Sequence, residues 1–311
     1  MTTKVFIDGK AGTTGLRIYE RLSLRNDIEL LTLSEEERKN PARRKEMLNA
    51  CNIAFLCLPD DAAREAVALI DNPEVTVLDT STAHRTLPDW AYGFPELAPA
   101  FRAKIENSRR IAVPGCHAGG FIALVYPLVA AGVIAPEQPL SCHSITGYSG
   151  GGKKMIAEYQ AENRDVKYDA PRQYGLTQQH KHLKEMTAIS GLTQPPVFSP
   201  IVADFYSGMV MTVPLFRSQL QNGAGAEEIK ALYRNLYHGP VVRYVGDMAP
   251  DGLIGANALS GSDAMEITVA GNEDRILLIA RYDNLGKGAS GAAVECMNIA
   301  MKIAPETGLS L

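Results

Sequence analysis

Apolar positions in the first third of the chain fall in short, nearly unbroken runs separated by amphipathic stretches. Lys4–Ile7, Ile28–Leu33, Ile53–Leu58, Val75–Leu78 and Ile111–Val113 read as strands. Leu16–Leu24, Pro41–Asn49 and Asp60–Ile70 read as helices between them, the last capped by an Asp. Alternation at this spacing implies a parallel sheet with right-handed crossovers, and continuously apolar strands imply a sheet covered on both faces. The uncharged stretch from Ala118 to Pro136 reads as a buried helix, because its glycines and prolines leave no run long enough to span a bilayer. From about residue 140 the pattern changes. Ser141–Gly147 and Ile201–Val213 read as longer strands, Glu266–Ala270 and Ile276–Tyr282 as a hairpin around Gly271-Asn272, and Ser290–Ile303 as a helix.

A chain of 311 residues has room for about two domains. With 46% hydrophobic and 21% charged residues it is too apolar to stay disordered. The net charge of −4 argues against general nucleic-acid binding, and no membrane partner is expected. Five widely spaced cysteines, an odd number, do not form a disulfide framework. Without a signal-like N-terminal profile either, the expected location is the cytoplasm.

The first strand ends in Asp8-Gly9-Lys10-Ala11-Gly12-Thr13-Thr14-Gly15 and then a helix. G-x-x-G-x-x-G at a strand-to-helix turn lets the backbone approach a pyrophosphate, with the helix N-terminus supplying N–H donors. Gly9, Gly12, Thr13, Thr14 and Gly15 are therefore candidate dinucleotide ligands in a Rossmann-type domain. An NAD site wants an acid at the end of the second strand. Here Leu33 runs into Ser34, and Arg38 follows, a pair suited to a 2′-phosphate, so the expected cofactor is NADP(H). The three acids Glu35, Glu36 and Glu37 work against that choice.

Pro114-Gly115-Cys116 puts a thiol at the start of a helix, where the dipole stabilises a thiolate. Cys116 is thus the candidate nucleophile, whereas Cys51, Cys57 and Cys296 read as core residues. His180-Lys181-His182-Leu183-Lys184-Glu185 places His182 and Glu185 on one helical face, where the carboxylate could orient the imidazole. A zinc site on Cys116, His180 and His182 lacks a fourth ligand. Gly147-Tyr148-Ser149-Gly150-Gly151-Gly152-Lys153-Lys154 is either an anion-binding nest, with Ser149 a substrate candidate, or a flexible connection. It lacks the spacing of a P-loop.

In this order, the glycine loop, Pro-Gly-Cys, Gly-Tyr-Ser-Gly, H-x-H-x-x-E and Asp283-Asn284-Leu285-Gly286-Lys287-Gly288 resemble the N-acetyl-gamma-glutamyl-phosphate reductases of arginine biosynthesis, in their shorter form. Asp79–Arg85 and Tyr92–Leu97 look like two further family segments, and the likeness spans practically the whole chain. The resemblance implies NADPH-dependent reduction of an acyl phosphate to an aldehyde. Cys116 would carry a thioester, a His of the H-x-H segment would be the acid/base (His182 favoured, His180 beside the substrate), and Asn284 would lie near the nicotinamide. Arg85 and Glu185 join Ser149 as substrate-side candidates. The resemblance also implies a discontinuous NADP-binding domain, 1–116 and 285–311, around an α+β catalytic and dimerisation domain, 117–284, with a mixed or antiparallel sheet. The partners expected are a small acyl phosphate and further copies of the chain, as a dimer or tetramer. The chain departs from the longer form in the glycine loop and at His117, where that form has an aromatic residue. Competing readings are an aspartate-semialdehyde dehydrogenase, the related carrier-bound lysine-route enzyme, and a non-catalytic NADP-binding regulator.

Overall fold

The computed structural model describes residues 2–311, and the chain divides into two compact units. The first comprises residues 1–95, 99–115 and 289–309; the second comprises 96–98, 116–288 and 310–311.

The first unit is built on six parallel strands in the order β2-β1-β3-β4-β6-β5. These are β1 (Thr3–Asp8), β2 (Ile28–Leu31), β3 (Ile53–Leu56), β4 (Thr76–Asp79), β5 (Ala91–Tyr92) and β6 (Arg110–Ala112). The helices are α1 (Thr13–Leu22), α2 (Pro41–Ala50), α3 (Asp60–Ala68), α4 (Pro99–Asn107) and, returning from the end of the chain, α9 (Gly291–Ala300). Two apolar clusters cover the two faces of the sheet. Val5, Phe55 and Leu78 pack against Ala293, Val294 and Met297 of α9, whereas Phe6, Ala54 and Val77 pack with Leu48 and Ala66. Side chains of successive strand residues thus enter opposite layers, which is why these strands carry no polar alternate.

The second unit has a seven-stranded mixed sheet, β11-β12-β13-β10-β7-β9-β8. Its elements in chain order are α5 (Cys116–Ala130), β7 (Ser141–Gly147), α6 (Gly152–Gln160), β8 (Arg172–Gln173), α7 (Leu183–Ser190), β9 (Val197–Ala203), β10 (Met209–Phe216), α8 (Ala226–Leu236), β11 (Val242–Tyr244), β12 (Met265–Gly271) and β13 (Arg275–Tyr282). One sheet face, carrying Ser144, Met211 and Tyr282, packs against α5. The other carries Ile145, Val197 and Leu277, which remain exposed, while the 245–256 segment covers Val210 and Ile279.

The structure confirms the α/β class with a parallel sheet and a mixed sheet, and the β12–β13 hairpin. It corrects two details. The run 201–213 is not one strand: it breaks at Gly208, whose φ of +122° and close approach to the Ala256 carbonyl exclude a side chain. The halves, β9 and β10, lie on opposite sides of β7. Asp60 does not cap α3, since Pro59 occupies that position; its carboxylate instead accepts from the backbone N–H and hydroxyl of Thr82.

Helix α5 is almost wholly buried and contains Pro127. No described helix is long and apolar enough to cross a membrane. Proline removes the N–H that would bond the carbonyl four residues back, here that of Ala123. Tyr237, just past α8, donates its hydroxyl to that orphaned carbonyl at 2.7 Å, and Tyr233 donates its own to the neighbouring Leu124 carbonyl. Both tyrosines are buried, and burial drives both phenols well above their ordinary pKa. Tyr237→Phe is expected to cost about 1–3 kcal/mol, the penalty for a buried unsatisfied carbonyl. Pro127→Ala should recover part of that loss in the double variant by restoring the amide donor. Equilibrium urea unfolding of the single and double variants checks both expectations.

Candidate active site

Within the first unit, the glycine loop joins β1 to α1 at the carboxyl ends of the strands, where an open α/β sheet binds ligands. Gly9 has φ +87°, and a Cβ there would run into the Cys57 carbonyl; one at Gly15 would strike the Gly9 carbonyl. The α1 N-terminus has no side-chain cap and no acid in its first turn, so its amides are open to an anion. The residues therefore fit a dinucleotide pyrophosphate. Beside the loop lies a cleft of about 630 Å³, whose lining includes Gly9, Lys10, Leu31, Arg38 and Arg44. Arg44 is paired with the buried Asp8 at 2.7 Å and Arg38 with Glu35 at 2.6 Å. Ser34 is exposed; its hydroxyl lies 3.2 Å from the Glu37 carboxylate, outside the cleft lining. Gly12, Thr13, Thr14 and Gly15 form the loop and the start of α1, again without lining the cleft.

Also in the first unit, Arg85 is buried and gives Nε to the Val113 carbonyl and a terminal nitrogen to the Thr80 carbonyl, both at 2.8 Å. It braces the end of β4 against the strand that leads into Pro114-Gly115. Next to it Asp79 accepts from the Ser81 hydroxyl and faces His84 Nδ1, both at 2.6 Å, and the imidazole stacks on Trp90 at 4.1 Å.

In the second unit, Cys116 begins α5 and is half-buried, in a first turn without an acid. Tyr282 donates its hydroxyl to the Cys116 carbonyl at 2.6 Å. Its ring occupies the space a side chain at residue 120 would need, so Gly120 is required there. On the other side a Cβ at Gly288 would sit 3.0 Å from that of Cys116. Burial pushes the thiols of Cys51, Cys57 and Cys142 up to about 12.

Three histidines gather beside this turn. His182 forms the N-terminal cap position of α7, and Glu185 lies in the first turn of that helix; both are buried. The His180 ring is 4.8 Å from that of His182, and its Nδ1 accepts the His182 backbone N–H at 3.2 Å. Burial and neighbouring Lys181 lower the pKa of His180. The third, His117, escaped the site reading of the sequence. It is 3% exposed and lies 5.7 Å, ring to ring, from both His180 and His182. Burial, then the charge of His180, lowers its pKa to about 3. Its position directly after the helix-starting Cys was the available signal.

Ser149 and Asn284 are brought together. Asn284 is buried, donates to the Ser149 hydroxyl at 3.0 Å and accepts the Gly208 N–H at 2.9 Å. Asp283 accepts from the Ser207 hydroxyl and from the amides of Gly261 and Leu285. The glycine-rich segment at 147–154 is an ordered turn leading into α6, not a loose connection.

Family models match at both halves: the NAD binding domain of semialdehyde dehydrogenases over residues 4–107, and their dimerisation domain over 116–284. An N-acetyl-gamma-glutamyl-phosphate reductase of Sinorhizobium fredii is 46% identical over 96% of this chain and 99% of its own. A second, from Nostoc sp., is 44% identical over 98% and 99%. The chain belongs to the N-acetyl-gamma-glutamyl-phosphate reductase family. Within the wider semialdehyde dehydrogenase fold, the aspartate semialdehyde dehydrogenase II structure from Vibrio cholerae superposes with a TM-score of 0.73 over 97% of this chain and 99% of that one, at 16% identity. The family's NAD-binding part thus contains the glycine loop, and its dimerisation part contains Cys116 and the three histidines.

The buried neutral His117 has a consequence for acid stability. Its folded pKa, about 3, lies below the ordinary value of 6.5, so the unfolded state binds the extra proton. Stability therefore falls as pH drops from 6.5 toward 3, by up to about 1.4 kcal/mol per pH unit. His117→Phe should flatten this limb, as measured by urea unfolding at pH 7, 6 and 5.

Proposed function

We propose that this protein reduces N-acetyl-gamma-glutamyl phosphate to N-acetylglutamate semialdehyde and phosphate with NADPH, through a thioester on Cys116. The observation that carries the reading is a half-buried thiol at the start of α5, in a first turn with no acid, followed directly by His117, whose ring lies 5.7 Å from those of His180 and His182, in a chain of this family. The Cys116 thiolate attacks the acyl carbon; the C–S bond forms, and the bond to the phosphate oxygen breaks. The dinucleotide, when bound, supplies the hydride. His182 gives a proton to the resulting oxyanion and takes it back as the C–S bond breaks, releasing aldehyde and thiolate. Glu185, three residues on in the same helical turn, orients His182, and His180 faces the substrate. Ser149 would contribute a hydroxyl on the substrate side, and Asn284, held by Gly208 and Ser149, would be the residue that holds the nicotinamide. Arg85, through its bonds to the Val113 and Thr80 carbonyls, supports the Pro114-Gly115 turn on the substrate side.

Preference for NADPH is supported by the charge of the cleft. Its lining holds four cations (Lys10, Arg38, Lys39, Arg44) and two acids (Asp8, Glu35), so four minus two leaves +2. We assign the protein to the cytoplasm and to a homodimer or tetramer formed on the open sheet face that carries Ile145, Val197 and Leu277.

The test is the reverse reaction: N-acetylglutamate semialdehyde plus phosphate, with NADP and then with NAD. Activity is expected with NADP preferred, and loss of at least about 1,000-fold in Cys116→Ala. Faster turnover of aspartate semialdehyde would move the assignment to that rival, and no turnover of either would favour a non-catalytic regulator. Separately, Ile145→Asp should lower the molecular mass seen by sedimentation equilibrium; an unchanged mass would place the interface elsewhere.

A further inference from the structure

His117 bridges two hydroxyls that no established role requires. Its Nδ1 lies 2.9 Å from the Ser144 hydroxyl and its Nε2 2.7 Å from the Tyr174 hydroxyl. The ring is fixed by packing on Phe198 at 5.2 Å, edge-on, besides the two neighbouring histidines. Ser144 is fully buried on β7, and Tyr174 follows β8, anchored by its own N–H on the Pro200 carbonyl. A neutral imidazole has one donor and one acceptor. If Nδ1–H donates to Ser144, Nε2 must accept from Tyr174; if Nε2–H donates to Tyr174, that phenol keeps its own hydrogen for a third group. The Tyr174 ring also lies 6.1 Å from that of His180, so its hydroxyl belongs to the histidine cluster that follows Cys116. Burial and then the Cys116 charge drive its phenol above the ordinary range, so it stays protonated as a donor.

We propose that His117 is a positioning residue that donates through Nε2 to the Tyr174 oxygen, and that Tyr174 thereby aims its O–H at the oxygen that develops negative charge on the Cys116-bound substrate. Ser144 completes the relay by donating to Nδ1, so the chain Ser144–His117–Tyr174 runs in one direction. A cationic His117 would leave Ser144 unable to donate; burial keeps the ring neutral. The hydroxyl acts on charge that appears only as the reaction proceeds, so its loss lowers kcat and leaves KM nearly unchanged. The proposal rests on the reading of Cys116 as the thioester-forming nucleophile.

The experiment is a double-mutant cycle on the full chain with Tyr174→Phe and His117→Phe, each preserving an aromatic ring. Each single change is expected to lower kcat on the order of 100-fold, the effect of losing one such donor, with KM within about twofold. The double variant should be no slower than the worse single variant. Multiplicative losses, an unchanged kcat in either variant, or a KM effect alone would overturn the proposal. Ser144→Ala gives a milder third arm if His117→Phe does not fold, and it should lower kcat in native Tyr174 while having no effect in the Tyr174→Phe background. The rate at which iodoacetamide alkylates Cys116 is read in parallel. Because the developing oxyanion is absent there, both variants should stay within about twofold of the native rate, and a larger change would assign the pair to the thiol instead. If the native protein alkylates at Cys116 but turns over no acyl phosphate or semialdehyde, the functional reading itself fails and the relay falls with it, whereas a native enzyme with unaffected variants overturns the relay alone.

Discussion

The hydrogen bond from the Tyr282 hydroxyl to the Cys116 carbonyl sets the frame of the second unit. It joins the last sheet strand before Asp283 to the first turn of α5, and so fixes where the thiol begins. The bond is possible because Gly120 leaves room for the phenol ring, and the turn is closed on its other side by Gly288. Asp283 and Asn284, next along the chain, distribute that position outward: one ties down the 207 and 261 loops, the other Ser149 and Gly208. A buried phenol bonded to the helix start, and the glycine its ring requires, form a rigid arrangement, because each excludes the alternatives of the other.

The same helix shows how an apparently unfavourable residue is accommodated. Pro127 would break a solvent-exposed helix, but in a buried one the cost depends on whether the freed carbonyl finds another donor. Tyr237 supplies it. The first residue and the middle of α5 are therefore held by tyrosine hydroxyls on backbone carbonyls, one from the sheet and two from the α8 region. The polar atoms of this apolar helix are satisfied from outside.

Much of this was legible along the chain. Apolar runs such as Ile53–Leu56 bury every side chain and announced a doubly covered sheet, and Pro-Gly-Cys marked the helix that presents the thiol. The break at Gly208 was not legible, because Ile201–Val213 is apolar on both sides of it and the turn depends on a close approach to Ala256. His117 was missed for a related reason: a lone His on an apolar helix carries no local sign of partners 27 and 57 residues away. The Ser34 and Arg38 region was legible as polar but not as geometry, since pairing with Glu37 and Glu35 is a matter of side-chain placement.

The return of α9 to the first unit governs the order in which the molecule can assemble on the ribosome. Ala293, Val294 and Met297 fill the same core layer as Val5, Phe55 and Leu78, so that layer, which also holds Ile18, Leu22 and Ile105, stays incomplete until α9 has been made. The second unit, by contrast, is drawn almost entirely from one continuous stretch that ends just before α9. During synthesis the later-translated half is therefore the first able to complete its own core, while the earlier half waits with that layer unfinished. That order runs against the usual amino-to-carboxyl sequence of domain folding.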